Sequence, residues 1–241
     1  MRILERISTN NSSFSISRPV TVAFLGDSVT HGCFETFVTH KGDLDNNYDF
    51  DAVYHARLKK KLQSIFHAVR LNIINAGVSG GSSVQGYERL ERDILSFSPD
   101  LTVVCFGLND ANQGETGLSQ YTEALELTFA ELLKHDSEVI FMTPNMMNTY
   151  VSTSVKEKTL INCAEQTAIV QNSGIMDLYM DAAKMVCLKR NITVCDCYSK
   201  WKKLYAAGAD VTSLLANGIN HPSREMHQMF ATSLLDTILF N

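Results

Sequence analysis

Short apolar runs alternate with longer amphipathic stretches along this chain. VTVAFLG (20–26), LNIINAG (71–77), LTVVCFG (101–107), EVIFMTP (138–144) and NITVCDC (191–197) are nearly continuous in hydrophobicity. Strands of a parallel sheet covered on both faces have this pattern. Between them, residues 49–67, 84–97, 118–135 and 156–190 carry helical periodicity, as in Leu58, Leu62, Ile65 and Phe66. The interval 156–190 accommodates one long helix or two, and a further helix over 223–239 closes the chain. Alternating strands and helices predict right-handed βαβ crossovers. The expected class is therefore α/β: a three-layer α/β/α sandwich around a mostly parallel five-stranded sheet. No linker, repeat or low-complexity tract divides the chain. Residues 19–241 read as one domain, and residues 1–18 as a loosely attached N-terminal arm.

In open α/β sheets ligands bind beyond the carboxyl ends of the strands, so the polar residues that follow each apolar run carry the functional information. They are Gly26-Asp27-Ser28, the stretch from Asn75 to Gly81, Gly107-Leu108-Asn109-Asp110, and Thr143-Pro144-Asn145. Outside any strand, near the C-terminus, lies Ala216-Asn217-Gly218-Ile219-Asn220-His221-Pro222.

Composition narrows the partners. With 45% hydrophobic and 20% charged residues, the chain has the balance of an ordinary globular protein. Its formal net charge of −5, with 21 scattered Lys and Arg, gives no reason to expect nucleic acid or an anionic membrane. Lys59-Lys60-Lys61 falls in an amphipathic stretch and reads as a solvated helix face. No segment approaches the roughly 18 to 20 apolar residues of a membrane span, and the N-terminus has no apolar stretch of signal-peptide length. The six cysteines (Cys33, Cys105, Cys163, Cys187, Cys195, Cys197) form no CxxC pair. They are expected to be reduced, and the compartment cytoplasmic. A nucleotide-binding edge is disfavoured, because neither GxGxxG nor GxxxxGK[ST] occurs.

Serine-based acyl transfer needs a nucleophile, a base to take its proton, and donors for the developing oxyanion. Ser28 follows a strand at a glycine turn, where a hydroxyl stands at the sheet edge. His221 is the one histidine flanked by loop signals on both sides, and Pro222 after it suits the first turn of the closing helix. Gly80 lies where backbone can approach a ligand closely, and Asn109 can aim a side-chain N–H at an oxyanion.

Together these residues resemble the SGNH, or GDSL-type, hydrolases, named for Ser, Gly, Asn and His in four sequence blocks. The blocks here read FLGDSVTHG, NAGVSGGSS, CFGLNDA and NGINHPS, in the family's order, and the resemblance runs from about residue 20 to the end. It implies a flavodoxin-like three-layer fold and a serine esterase without metal or cofactor, working in two steps through an acyl-enzyme. It implies Ser28 as nucleophile and His221 as general base. The backbone N–H groups of Ser28 and Gly80, with the Asn109 amide, would form the oxyanion hole. Asp27 is expected to fix the turn and Asp110 to support Asn109, while Ser79, Ser82 and Ser83 read as helix N-terminal caps.

One position departs from the family. Where an Asp three or four residues before the histidine usually holds its ring, this chain has Gly218 and Asn217. Three arrangements are open. Asn217 orients His221 through its amide carbonyl, a backbone carbonyl does so and leaves a Ser–His dyad, or a carboxylate such as Asp210 or Asp196 fills the gap. The first is favoured, although Asn-Gly is also a strong turn dipeptide. His31 reads as a polar loop residue. Met146 and Met147 are equally suited to an acyl pocket or to core filling. Trp201 and Tyr205, four apart, share one helix face and read as core. The substrate is expected to be a small acyl ester, either an O-acetyl carbohydrate or a short-chain lipid-like ester. The alternative is an SGNH-fold binding module that lost turnover with the triad acid. Oligomeric state does not follow from the chain.

Overall fold

The computed structural model describes residues 1–241. In chain order the elements are α1 (Arg2–Ser12), β1 (Val20–Gly26), α2 (Ser28–His31), β2 (Cys33–Val38), β3 (Leu44–Tyr48), α3 (Tyr54–Ile65), β4 (Leu71–Gly77), α4 (Ser83–Glu88), α5 (Leu90–Asp93), β5 (Leu101–Cys105), α6 (Leu118–Lys134), β6 (Glu138–Met142), α7 (Lys158–Asn172), α8 (Ile175–Arg190), β7 (Thr193–Cys195), α9 (Cys197–Ala206) and α10 (Arg224–Phe240).

Five strands form one sheet in the order β4-β1-β5-β6-β7, and every pairing is parallel. Numbered by their appearance in this sheet alone, the order is 2-1-3-4-5, the doubly wound arrangement whose switch point lies between the first and third strands. That switch point is the gap between β1 and β5, where Asp27-Ser28 and Gly107-Leu108-Asn109 emerge. The central strands justify their hydrophobic runs, since every residue of β1 and β5 is buried. One core contains Phe24, Val103, Phe141, Trp201 and Phe230 and takes in the inner faces of helices from both layers. In one layer α3 packs on α10, and in the other α4, α6 and α8 pack together.

The predicted sheet and its main helices are observed, with local differences that have identifiable causes. The 156–190 interval is two helices, broken where Gly174 adopts φ 84°. The 84–97 helix is interrupted at Arg89, whose guanidinium turns inward to donate to the Ala76 and Gly26 carbonyls at 2.6 and 2.9 Å. The fifth strand is only three residues long, because Asp196 caps α9 by accepting from Ser199 N. Residues 1–18 are not a loose arm. Ile3 and Ile7 of α1 are fully buried, and the N–H groups of Arg2 and Ile3 donate to the Glu138 carboxylate at 3.1 and 2.7 Å. Arg6 and Arg18 both pair with the buried Asp100 carboxylate, which also accepts from Thr21 N. These contacts lie at the strand starts, so α1 closes the edge of the sheet opposite the switch point. Three apolar residues in a polar stretch, Ile3, Leu4 and Ile7, give little hint of this.

The larger surprise is the antiparallel hairpin β2–β3, which leaves the chain directly after α2. Its pairing runs Cys33↔Tyr48 and then Thr36↔Asn46, so β2 carries one extra residue between those pairs. Such a bulge bends a strand and re-aims what it carries.

At the carboxyl edge, α2 sits directly on the ends of β1 and β4. Gly26 and Gly77 are register partners. A Cβ on Gly77 would fall on the His31 backbone, and one on Gly26 would fall on Thr30 and the Cys105 carbonyl. We expect Gly77→Ala to lower unfolding stability by about 3 kcal/mol, the upper range for forcing volume into a packed site, as read from urea denaturation. An unchanged midpoint would mean that α2 is not seated on the strand ends.

Candidate active site

Ser28 is the first residue of α2, and Asp27 before it caps the helix by accepting from Val29 N at 2.9 Å. Ser28 Oγ lies 2.9 Å from Nε2 of His221, which arrives on the loop before α10. The other ring nitrogen, Nδ1, lies 2.9 Å from the backbone carbonyl oxygen of Phe34, at the bulge in β2. A carbonyl only accepts, so Nδ1 carries the ring proton and Nε2 is left as the acceptor facing the Ser28 hydroxyl. Burial lowers the pKa of His221 to about 4, against the opposing influence of the Phe34 carbonyl and, more weakly, Glu35. The ring is therefore neutral near pH 7.

Two further donors share a cleft with Ser28. Gly80 adopts φ 74° in the loop after β4, and no backbone hydrogen bond uses its N–H. Asn109 donates through Nδ2 to the Gly81 carbonyl at 2.9 Å, which fixes the amide and leaves its second N–H uncommitted. Ser28, Gly80, Asn109 and His221 all line one cleft of about 330 Å³. Asp110 ties two of the blocks together, since its Oδ1 accepts from Ser83 N at 2.9 Å and Ser83 Oγ at 2.6 Å. Burial raises the pKa of Asp110 and pushes Asp27 up to about 7. The second carboxyl oxygen of each is buried without a partner.

Asn217 does not face the His221 ring. Its Oδ1 accepts three backbone N–H groups, from Ile219, Asn220 and His221, at 2.9 to 3.0 Å. Its Nδ2 donates to Thr36 Oγ1 and Asn220 Oδ1. The residue shapes the turn that delivers His221, and the ring partner is the Phe34 carbonyl. Asp210 and Asp196 are engaged elsewhere: Asp210 accepts from the Tyr150 hydroxyl at 2.7 Å, and Asp196 pairs with Lys184 at 2.7 Å. No carboxylate touches His221.

The remaining candidates fall into structural places. Met146 and Met147 are buried in the core and line no part of the cleft. Trp201 is buried, while Tyr205 on the same helix is half exposed. His31 packs against the rings of Tyr48 and Phe50. Ser82 caps α4 in a reciprocal arrangement with Gln85. The cysteines are all free thiols, and no three His, Cys, Asp or Glu side chains gather as a metal-ligand set.

Residues not expected from the sequence complete the cleft. The hairpin supplies Thr36, Leu44 and Asn46, and α7 supplies Leu160, Cys163 and Thr167. Asn145, fully buried after β6, donates to the Asn220 carbonyl at 2.8 Å and so holds the His221 loop. Its place in the list of strand-end residues was the only signal for it. Apart from neutral His221, no titratable acid or base lines the cleft except the Cys163 thiol.

The sequence matches a family model, and the fold matches solved structures. Residues 24–229 match the model of the GDSL-like Lipase/Acylhydrolase family. Among solved structures, the fold is similar to the acetylxylan esterase Axe2 from Geobacillus stearothermophilus, with TM-score 0.67 and 20% identity over 94% of this chain and 97% of that one. It is also similar to a lipase/acylhydrolase from Enterococcus faecalis, with TM-score 0.66 and 21% identity over 91% and 95% of the two chains. The acetyl xylan esterase AlAXEase matches with TM-score 0.67 and 18% identity over 91% of this chain and all of that one. No curated protein sequence matches the chain. No helix is long and apolar enough to cross a membrane.

The turn role of Asn217 is open to test. Asn217→Ala strands three backbone N–H groups and should cost about 2 kcal/mol of unfolding stability, whereas Asn217→Asp keeps the acceptor and should stay close to wild type. Equal stability of Asn217→Ala and wild type would remove the turn assignment.

Proposed function

The chain belongs to the GDSL-like Lipase/Acylhydrolase family and is a carboxylic ester hydrolase; on that premise we propose that it removes short acyl groups from uncharged, hydroxyl-rich alcohols, with Ser28 as nucleophile. The observation that carries the proposal is the Ser28 Oγ to His221 Nε2 contact at 2.9 Å, with Nδ1 already committed to Phe34.

In the first step Nε2 accepts the Ser28 proton as Oγ attacks the ester carbonyl carbon. The carbonyl oxygen becomes an oxyanion, which the N–H groups of Ser28 and Gly80 and the free N–H of Asn109 are positioned to receive. Each such donor is typically worth roughly 3 to 4 kcal/mol in the transition state. The tetrahedral species collapses as His221 returns the proton to the departing alkoxide, leaving an ester on Ser28. Water then enters, gives its proton to Nε2, and attacks the acyl carbon. A second tetrahedral species releases the carboxylic acid and restores the Ser28 hydroxyl.

The cleft lining supports the substrate class. Asn46, Asn112, Asn220 and Thr36 offer amides and a hydroxyl suited to neutral polyols, and no Lys, Arg, Asp or Glu awaits a charged leaving group. The naming of two structural neighbours as acetylxylan esterases agrees with an O-acetylated carbohydrate.

The test is hydrolysis of p-nitrophenyl esters from acetate to decanoate, of acetylated xylo-oligosaccharides, and of a lysophospholipid. Acetate and acetylated sugars should be the best substrates, and Ser28→Ala should lose at least about 10³-fold. A Ser28→Ala variant that retained turnover would remove the nucleophile assignment, and a preference for decanoate or lysophospholipid would remove the substrate class.

The acid limb gives a second check. His221 accepts a proton only when neutral, so kcat/KM should not fall as pH drops through the neutral range and should decline only towards a midpoint at about 4. A midpoint near 6.5, the ordinary histidine value, would mean that the ring is not buried in the working enzyme.

A further inference from the structure

With no carboxylate on the His221 ring, something else has to hold the Phe34 carbonyl in line with Nδ1. The structure assigns that task to Arg224, a positioning residue that clamps the bulged hairpin to the histidine loop. This inference rests on the proposed function.

Arg224 is the first residue of α10 and follows His221 by three positions. Its guanidinium forms a two-pronged pair with Glu35, the residue after Phe34, at 2.6 and 3.2 Å. Its Nε donates to Asp49 Oδ2 at 3.0 Å, just beyond β3. Asp49 is itself fixed, because its N–H donates to the Gly32 carbonyl and its Oδ1 accepts from Ala52 N. The guanidinium carbon also lies 4.3 Å from the Phe34 ring centroid. That ring packs with His227, fully buried on the same helix, at 4.9 Å.

One side chain therefore touches Phe34, its neighbour Glu35, and the far end of the hairpin. It projects from the segment that carries His221. Both ends of the Nδ1–H···O=C bond are referred to the same guanidinium. Pairs this exposed contribute little to stability individually, so the network's effect should be on geometry. A planar fork fixes two carboxylates and a ring in a way that an ammonium cannot.

The tests are Arg224→Met, Glu35→Gln and Arg224→Lys, each checked by circular dichroism and thermal melting. Two readouts are used: steady-state p-nitrophenyl acetate hydrolysis, and the histidine-ring nitrogen signals in heteronuclear NMR. In wild type, His221 should show a single neutral tautomer with the proton on Nδ1. Arg224→Met should lower kcat by about 10- to 100-fold, the scale of misaligned catalytic groups. KM should stay within about twofold, and the His221 signals should move towards a mixture of tautomers. Glu35→Gln should go the same way to a smaller extent, and Arg224→Lys should recover only part of the loss. Folded Arg224→Met and Glu35→Gln variants with wild-type kcat and an unchanged tautomer would overturn the clamp. Should Arg224→Met fail to fold, Glu35→Gln decides alone, because it leaves the Arg224–Asp49 pair in place. A wild type without ester hydrolysis, but with a tautomer that responds to Arg224→Met, would remove the esterase reading and keep the clamp.

Discussion

A neutral imidazole has one proton for two nitrogens, and the nitrogen that carries it decides what the other can do. Here the hydrogen bond between Nδ1 of His221 and the Phe34 carbonyl, at 2.9 Å, makes that choice. The hairpin has to be present to supply the acceptor, its bulge has to turn the carbonyl inward, and the loop before α10 has to deliver the ring. A buried carboxylate would additionally stabilise the imidazolium that forms when the serine proton is taken. A carbonyl dipole does so less, but it fixes the tautomer equally well. When a serine protease has its triad Asp changed to Asn, the large loss of rate follows from the wrong tautomer, which this geometry avoids.

The two buried carboxyls of the motifs, Asp27 and Asp110, belong to the same electrostatic balance. Ionised, they would place negative charge next to Ser28 and close to where an oxyanion has to form. Burial pushes Asp27 up to about 7 and raises Asp110 as well. The neutral form of each is thereby favoured over what free carboxyls would show, while Oδ1 still performs the structural task. Asp27 starts α2, and Asp110 fastens Ser83 to the Asn109 block. The backbone donors keep their orientation without a full opposing charge beside them.

Much of this was legible in the chain. Buried parallel strands write themselves as continuous apolar runs, so β1 and β5 were evident, and the strand-end rule led to Ser28, Gly80 and Asn109. His221 stood out by its loop setting. What escaped was of a different kind. β2 mixes apolar and polar residues without alternation and is buried only at Cys33 and Phe34, while β3 is polar and mostly exposed, so neither carries the pattern that marks a buried face. Helix α1 announces itself only by Ile3, Leu4 and Ile7 in an otherwise polar segment. Asn217 looked like a ring partner because of its spacing from His221, but an Asn before Gly satisfies backbone N–H groups first. The actual partner, Phe34, contributes an atom that every residue possesses, and a sequence carries no mark for it.

The bulge in β2 gives the site an unusual genetic profile. A triad carboxylate can be erased by one base change, but a peptide carbonyl survives every replacement of the side chain attached to it. Scanning position 34 residue by residue would register changes in packing against Arg224 and His227 while leaving the acceptor in place. The vulnerable quantity is strand length. Deleting one residue between Cys33 and Thr36 would restore regular pairing with β3, and inserting one would rotate the next carbonyl inward or outward. Within this segment, insertions and deletions are the variation to which the chemistry is exposed, and side-chain substitutions act mainly through the fit of the hairpin.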